Sequence, residues 1–344
     1  MSSENGSAEE TAMRTALAAA EEVVGTTSPN PPVGCVVLDA GGAVVGTGAT
    51  QPPGGPHAEV VALCAAGERA AGGTAVVTLE PCGHTGRTPP CSDALRAAGI
   101  ARVVYAVSDR NPAAAGGARQ LSDAGVQVRG GVLADEVAAG PLRSWLHAAR
   151  TGRPHVTWKY AASLDGRSAA EDGTSRWISS AESRAEVHRV RARADAVVAG
   201  TGTVLADDPR LTARTPDGGL AAHQPLRVVV GDRAVPSGAQ VFDDAAPTVR
   251  IPGHDPAAVL AELAERGVVE VLLEGGPTLA GAFAAAGCID RVLAYVAPVL
   301  LGSGTAALGY AGVGSISQAW RLHVEETTMC GPDVRISAVP VPRS

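Results

Sequence analysis

The stretch TLEPCGHTGRTPPC, residues 78–91, indicates both a fold and a chemistry. It starts at the end of an apolar run that predicts a buried strand, and it places Cys82 and Cys91 at the two ends of a loop that contains Pro89 and Pro90. Proline fixes φ and removes a backbone donor, so this loop has few conformations available. Such a loop suits a site whose side chains must be held in one geometry.

A histidine and a glutamate upstream complete the pattern. His57 and Glu59 form H-x-E at the start of a predicted helix, and Cys82 follows a predicted strand at its carboxyl end. α/β folds collect ligands at these two kinds of position. One histidine and two cysteines would bind Zn²⁺ and leave the fourth tetrahedral position to water, which is the catalytic pattern. Zinc lowers the pKa of a bound water to about 7, and Glu59 would then be the proton shuttle.

H-x-E followed by P-C and a second cysteine is the signature of zinc-dependent base deaminases, in which the glutamate is not a ligand. Nucleoside and nucleic-acid deaminases usually carry P-C-x-x-C, whereas eight residues separate Cys82 from Cys91 here. We expect the longer loop to offer His84 and Arg87 to the substrate. A structural zinc and a site without metal stay open as alternatives.

The other cysteines have simpler interpretations. Cys64 lies seven residues after His57 on the same predicted helical face, so it could compete as a ligand, although a packed core thiol is the favoured interpretation. Cys35, Cys288 and Cys330 have no ligand partners in the pattern and are predicted to be structural.

Length and composition limit the function classes. A chain of 344 residues exceeds the usual single domain, so we expect two. A net charge of -7 and 3% aromatic residues disfavour a nucleic-acid surface, which needs clustered positive charge and usually stacking platforms. The polar start MSSENGSAEE and the lack of a long apolar run predict a cytoplasmic protein without a membrane segment. Six cysteines in so long a chain are predicted to be reduced thiols and not a disulfide framework.

Periodicity and turn signals predict two α/β parts, with a boundary at TGRP, residues 151–154. In the first part, strands are expected at 33–39, 43–49, 74–80 and 101–109, and helices at 8–24, 57–71, 91–99 and 134–150. In the second part, strands are expected at 155–163, 194–200, 225–231, 268–276 and 291–298.

The second part carries two features that suit a nucleotide-dependent reaction. GTGTVL at 200–205 ends in Leu205, so the Rossmann fingerprint fails. Gly275 and Gly276 nevertheless follow a strand and precede Pro277 at a predicted helix start, where free N–H groups could bind phosphate. Lys159, the single lysine, alternates with apolar neighbours on its strand and is expected to face a cleft, where its tunable pKa suits proton transfer. A plain strand-to-helix turn and a surface lysine are the alternatives.

The motifs SPNPPVGCVV, HAE, TLEPCGHTGRTPPC, KYAASLDG, SRWI, GTGTVLADDPRLTAR and LLEGGPTL occur in this order between residues 10 and 305. In this respect the chain resembles the bifunctional deaminase and reductase of riboflavin biosynthesis. The resemblance implies a cytidine-deaminase-like α/β/α domain at 1–150 and a dihydrofolate-reductase-like α/β domain at 154–344. It implies zinc-dependent hydrolytic deamination of a diaminopyrimidinone ribosylamino 5'-phosphate, followed by NADPH-dependent reduction of the ribosyl group to ribityl. As partners we expect this small phosphorylated pyrimidine and further copies of the chain in a homo-oligomer, and neither nucleic acid nor membrane.

The resemblance also assigns residues. Lys159 and Glu274 would lie beside the reacting ribose, with the proton donor undecided between them. The NADPH contacts would be Ala161, Trp177, Thr203, Asp207, Gly276, Pro277, Thr278, Leu279, Ala280, Gly281 and Ala282. The deaminase substrate would meet Asn30, His84 and Arg87, and the reductase substrate would meet Ser175, Arg191, Leu211, Arg214 and Glu274, the arginines being natural phosphate partners. The ordinary alternatives are a core Trp177, a capping Asp207 and a solvated Arg191.

Two departures from the family pattern stand out. Thr50 occupies a position that the family often fills with histidine, which puts one substrate contact in doubt. NPAAAGG at 111–117 is looser than the family motif, so a local loop change is expected there.

A base deaminase of nucleic acids with an accessory domain is a second function hypothesis. A non-catalytic, zinc-stabilised binding protein is a third, although the residues needed for both reactions are all present.

Overall fold

The computed structural model describes residues 2–84, 89–109 and 116–342, with side chains from residue 8 onward. The chain divides into two compact units, Met1–Gly152 and Arg153–Ser344. The division falls within TGRP, the stretch where the sequence places the boundary. Each unit has its own hydrophobic core.

The first unit is a five-stranded sheet with helices packed on it. Its helices are α1 Ser2–Glu22, α2 Ala58–Ala66, α3 Cys91–Ala97, α4 Gly117–Asp123, α5 Ala134–Ala139 and α6 Arg143–Thr151. Its strands are β1 Gly34–Leu38, β2 Val44–Ala49, β3 Thr74–Leu79, β4 Arg102–Val107 and β5 Gln127–Arg129, in the order β2-β1-β3-β4-β5. β1 pairs antiparallel with β2 and β3, whereas β3, β4 and β5 are parallel.

The apolar runs of β1 and β3 reflect burial on both faces of the sheet, as expected for central strands. Close contact between α2 and β2 requires a glycine, because a Cβ added at Gly48 would lie 2.5 Å from the carbonyl oxygen of Ala58. This contact brings the N-terminus of α2 to the sheet edge at which β3 ends. The strand pairing and the helix packing therefore place His57 and the start of the Cys82 loop at the same edge.

The sequence predictions for this unit were correct for four strands and incomplete elsewhere. The helix expected at 57–71 ends at Ala66, because Gly67 has a φ of +57° and a short 3₁₀ turn follows. The helix expected at 134–150 is two helices, broken at Gly140 and Pro141. α4 and β5 were not predicted, since a strand of three residues is too short to show alternation.

The second unit contains an eight-stranded mixed sheet. Its helices are α7 Ala181–Ala192, α8 Thr201–Asp207, α9 Pro256–Glu265 and α10 Pro277–Ala285. Its strands are β6 His155–Ser163, β7 Arg167–Ala169, β8 Ala196–Gly200, β9 Leu226–Val230, β10 Thr248–Ile251, β11 Glu270–Leu273, β12 Arg291–Ala297, β13 Thr305–Ala306, β14 Leu322–Cys330 and β15 Asp333–Pro340. The large sheet has the order β10-β9-β8-β11-β6-β12-β15-β14, and β7 pairs separately with β13.

The strands from β10 to β12 are parallel, and β15 and β14 continue the sheet antiparallel. Because β8, β11 and β6 are parallel neighbours, the segments that follow β8 and β11 emerge at one edge of the sheet, beside the middle of β6. All five strands predicted here are present. β10, β14 and β15 were not predicted, and β14 gives no burial pattern because all of its residues except Cys330 are exposed.

Among the described residues, no helix is both long and apolar enough to cross a membrane.

Candidate active sites

His57, Cys82 and Cys91 come together in the first unit. Their ligand atoms all lie within 4.8 Å of one another. Nδ1 of His57 is 3.3 Å from Sγ of Cys91 and 3.7 Å from Sγ of Cys82. His57 precedes the first turn of α2, Cys82 follows β3, and Cys91 is the first residue of α3. One imidazole and two sulfurs converging on one point suit tetrahedral zinc with one position left open.

The two cysteines differ in proton affinity. The hydrogen bond from the Cys91 thiol, with further help from His57, lowers the pKa of Cys82 to about 4. The same hydrogen bond, together with burial, raises the pKa of Cys91. Cys82 is therefore the sulfur that ionises more readily, and the thiolate is the form that binds metal.

Glu59 lies in the first turn of α2, next to this cluster, with 4% of its surface exposed. Burial is the main cause of its raised pKa, because water no longer solvates the carboxylate. A carboxyl group with a raised pKa accepts a proton more readily than an exposed one, which suits a group that receives a proton and passes it on. Its position beside the three ligands agrees with the predicted role as proton shuttle, which stays a prediction.

A set of polar contacts that sequence reasoning missed holds the loop containing the cysteines. The Glu80 carboxylate accepts the backbone N–H groups of Asp109, Gly116 and Ala118 at 3.2, 3.3 and 3.2 Å. Glu80 belongs to the TLEPC motif, but the sequence did not predict its hydrogen bonds, because the N–H groups that it accepts lie 29 to 38 residues further along the chain. Glu80 thereby ties the end of β3 to the start of α4.

Gln120 of α4 bridges the two ends of the same loop. Its Nε2 donates to the carbonyl oxygen of Gly83 at 2.8 Å, and its Oε1 accepts the hydroxyl of Ser92 at 2.9 Å. Gly83 follows Cys82 and Ser92 follows Cys91, so one side chain bonds next to both sulfur ligands. No sequence signal pointed to Gln120, because its partners are distant along the chain.

The remaining predictions for the first unit have mixed outcomes. Asn30 is half-buried and His84 is exposed, while Arg87 and residues 111–115 lie outside the described residues. Thr50 is buried, and its hydroxyl accepts the N–H of Val33 at 3.1 Å, so it stabilises the chain before β1. Cys64 is exposed, and the expectation of a packed core thiol was wrong, because α2 turns this position away from the sheet.

The second unit contains a cavity of about 970 Å³, at the upper end of the range for ligand pockets. Most of the predicted reductase residues line it: Lys159, Ala161, Ser175, Trp177, Arg191, Thr203, Asp207, Leu211, Arg214, Glu274, Gly276, Pro277, Thr278, Leu279 and Ala282. Ala280 and Gly281 do not line it. They are buried on the other side of α10, where a Cβ on Gly281 would lie 2.5 Å from the carbonyl oxygen of Tyr310.

Lys159, Glu274 and Arg191 form a buried charge cluster in this cavity. Arg191 donates to both carboxylate oxygens of Glu274, at 2.6 and 2.9 Å, and Nζ of Lys159 is 3.8 Å from the same carboxylate. The side chains expose 15%, 8% and 16% of their surface for Arg191, Glu274 and Lys159, respectively. A surface lysine and a solvated arginine are therefore both excluded, and Arg191 is committed to a carboxylate.

The cluster sets the charge of its members. Burial alone would raise the pKa of Glu274, but Arg191 and Lys159 together outweigh it and hold the pKa at about 2. Burial lowers the pKa of Lys159, and the Arg191 charge lowers it further, with Glu274 opposing them. Glu274 is thus an anion throughout the neutral range, while Lys159 is the member that can exchange a proton.

The glycine-rich segment after β11 borders the same cluster. Gly276 is the N-cap of α10 and Pro277 is its first residue. The N–H of Gly276 donates to the hydroxyl of Thr203 at 2.9 Å, which fixes this segment against the first turn of α8. A Cβ on Gly275 would lie 2.7 Å from Leu279, so the close turn requires glycine. The N-terminus of α10 therefore offers N–H groups to the cavity, as phosphate binding requires.

Trp177 projects from the cavity wall with 69% of its surface exposed, so the alternative of a core tryptophan was wrong. The Arg184 guanidinium lies 4.5 Å from the centroid of the indole ring and supports it by a cation–π contact. An exposed, supported aromatic ring at a cavity of this size is suited to contact a flat ligand group.

Comparison with known families agrees with the two sites. Residues 7–107 match the family model described as cytidine and deoxycytidylate deaminase zinc-binding region, and residues 154–336 match the RibD C-terminal domain. The chain is thus a two-part enzyme in which a zinc-binding deaminase domain precedes a reductase domain.

Relatives over nearly the whole chain define the family more narrowly. The riboflavin biosynthesis protein RibD of Mycobacterium tuberculosis (strain H37Rv) is 58% identical over 328 residues, covering 95% of this chain and 96% of the relative. That of Escherichia coli (strain K12) is 39% identical over 363 residues, covering 95% and 98%. The chain belongs to the RibD family, the bifunctional deaminases and reductases of riboflavin biosynthesis.

Solved structures agree with this assignment. RibD of Acinetobacter baumannii has a TM-score of 0.89 at 35% identity, covering 98% of this chain and all of the other. A diaminohydroxyphosphoribosylaminopyrimidine deaminase/5-amino-6-(5-phosphoribosylamino)uracil reductase from Thermotoga maritima has a TM-score of 0.90 at 32% identity, with 98% and 100% coverage. The predicted fold class, family and pair of enzymatic activities are confirmed. Neither the nucleic-acid deaminase nor the binding-protein hypothesis gains support.

Proposed function

We propose that the first unit deaminates a diaminopyrimidinone ribosylamino 5'-phosphate and that the second reduces the ribosyl group of the product with NADPH. The observation that carries this proposal is the presence, in one chain, of the His57, Cys82 and Cys91 cluster and of a separate charged cavity beside a glycine-rich helix start. The Thermotoga relative is named for this pair of substrates.

The donor set of the first site fits zinc, and His57, Cys82 and Cys91 would hold it. Zinc, when bound, supplies Lewis-acid activation of a water molecule. Glu59, buried beside the three ligands, takes a proton from the attacking water and gives it to the pyrimidine ring nitrogen. It then carries the second proton of that water to the departing amine, so Glu59 returns to its starting state. Asn30, His84 and Arg87 are proposed to orient the base and its phosphate-bearing sugar, with Asn30 in the half-buried segment before β1.

The size and the charged lining of the cavity in the second unit support the binding of NADPH together with a phosphorylated sugar. NADPH, when bound, supplies the hydride. We assign the proton donor to Lys159 and not to Glu274, because a carboxyl group with a pKa of about 2 carries no proton at neutral pH. Glu274 then keeps Lys159 charged and positioned, at an Nζ to Oε2 distance of 3.8 Å. Ser175, Leu211 and Arg214 are proposed to contact the sugar phosphate.

The partners proposed for this chain are a small phosphorylated pyrimidine, Zn²⁺ and NADPH. Assembly into a homo-oligomer, location in the cytoplasm and the lack of a nucleic-acid partner stay predictions from the sequence.

Product mass tests the proposal. Purified, zinc-loaded protein is incubated with the diaminopyrimidinone ribosylamino phosphate, with and without NADPH. We expect replacement of an amino group by oxygen without NADPH, and addition of two hydrogens only with it. Glu59→Gln should block the first change, and Lys159→Met should block the second while leaving the first intact. Wild-type protein that leaves the substrate mass unchanged would refute the assignment.

A further inference from the structure

Six arginines among the described residues line the cavity of the second unit. Five of them donate hydrogen bonds to groups of the protein. These are Arg176, Arg184, Arg191, Arg210 and Arg214, and their acceptors, in the same order, are Asp207, Ser179, Glu274, Gln240 and Gly218. The sixth is Arg233, whose guanidinium has no hydrogen bond or ion pair with any described residue. An unpaired guanidinium facing a cavity is a natural site for an anion of a ligand.

Arg233 lies on the loop after β9, and its guanidinium packs across the first turn of α8. A Cβ added at Gly202 would meet Nη2 of Arg233, so the guanidinium lies directly against this turn. The next residue, Thr203, accepts the N–H of Gly276 at 2.9 Å. Arg233 therefore contacts the same helix turn that binds the glycine-rich start of α10.

Successive contacts thus connect the residues of the cavity wall. They lead from Lys159 and Glu274, through Gly275 and Gly276, to Thr203 and Gly202, and then to Arg233. NADPH has the same order of groups, with the nicotinamide at one end, the pyrophosphate in the middle and the 2'-phosphorylated adenosine at the other end. If the nicotinamide lies at Lys159 and the pyrophosphate at the glycine-rich segment, the next anion along the molecule is the 2'-phosphate.

We propose that Arg233 binds the 2'-phosphate of NADPH and makes the reductase site prefer NADPH to NADH. This inference rests on the proposed reductase function. His254 lines the same part of the cavity, and a Cβ on Gly231 would lie 2.9 Å from its Cε1. The two carboxylate oxygens of the neighbouring Asp232 have partners other than Arg233, since Oδ1 accepts the N–H of Gly253 at 2.8 Å and Oδ2 lies 3.8 Å from Nε2 of His254. Arg233 is thus the specificity-determining cation of this wall.

The test is a fluorescence titration of the full-length protein with NADPH and, separately, with NADH. It compares the wild type, Arg233→Ala, Arg233→Lys and the control Arg210→Ala. Arg210 lines the same cavity, but its guanidinium bonds to Gln240 at 2.7 Å. Loss of a charge-assisted bond to phosphate should weaken NADPH binding by about 10- to 100-fold in Arg233→Ala and leave NADH binding within about twofold. Arg233→Lys should lose less, and Arg210→Ala should change both cofactors equally or not at all.

Other outcomes overturn the inference in distinguishable ways. Equal weakening of NADPH and NADH in Arg233→Ala would place the side chain at the pyrophosphate, which both cofactors carry. Unchanged binding of both would remove Arg233 from the cofactor site. Wild-type protein that binds neither cofactor would refute the proposed reductase function itself, whatever the variants do. The deaminase activity of Arg233→Ala, measured without cofactor, should equal that of the wild type and reports that the chain is folded.

Discussion

Replacement of Glu274 by glutamine tests the buried charge cluster. Glu274→Gln resembles the protonated acid in shape and charge, so it removes what ionisation of Glu274 contributes to the folded state. The pKa of Glu274 is lowered from its ordinary value of 4.5 to about 2. At about 1.4 kcal/mol per pKa unit, the ionised form stabilises the fold by about 3 kcal/mol relative to the neutral form. We expect the variant to lose that amount of unfolding free energy at pH 7.

The sign of the pH dependence follows from the lowered pKa. The stabilisation is fully present above pH 4.5 and is lost as the pH falls toward 2, because the unfolded chain takes up the proton first. The difference between wild type and Glu274→Gln should therefore shrink from about 3 kcal/mol at pH 7 to about 2 kcal/mol at pH 3.5.

Urea unfolding followed by tryptophan fluorescence measures this difference in the full chain. The second unit carries Trp158, Trp177 and Trp320, so its transition contributes most of the signal. Glu262→Gln is the matched control, because Glu262 forms a half-exposed helical pair with Arg266 at 2.9 Å, worth less than about 1 kcal/mol. A loss below about 1 kcal/mol in Glu274→Gln, or a loss that does not change with pH, would refute the account of the cluster.

Three further predictions concern the two reactions. A chelator that removes the metal from His57, Cys82 and Cys91 should abolish deamination and leave NADPH-dependent reduction of the deaminated substrate unchanged, as measured by product mass. Gln120→Ala should weaken zinc affinity by about tenfold in a competition titration with a chromogenic chelator, because a residue that orients metal ligands is lost; the neighbouring surface variant Arg119→Ala should not. In the wild type, loss of the Lys159 proton should lower the reductase rate at a pH below the ordinary lysine pKa of 10.5. Lys159→Arg should abolish this alkaline decline. An unchanged pH–rate profile would contradict the role of Lys159 as proton donor.

Much of the metal site could be predicted from the sequence because its ligand types and spacing are local signals. H-x-E and the cysteines of TLEPCGHTGRTPPC name the chemistry without any knowledge of the fold. The supporting residues could not be predicted in the same way. Gln120 binds the loop through partners that are 37 and 28 residues away, and its residue type alone carries no signal for this role.

The reductase site depended more on tertiary structure. The sequence excluded the Rossmann fingerprint and drew attention to the single lysine and the glycine pair, because composition and motif are properties of the chain alone. The charges on Lys159 and Glu274 were not accessible, since they follow from burial and from the approach of Arg191, which lies 83 residues from Glu274. The same holds for Arg233, which is one arginine among many until the fold brings its side chain to the cavity. Residue chemistry is local and can be read along the chain, whereas proton affinity and ligand preference arise from groups that only the folded chain brings together.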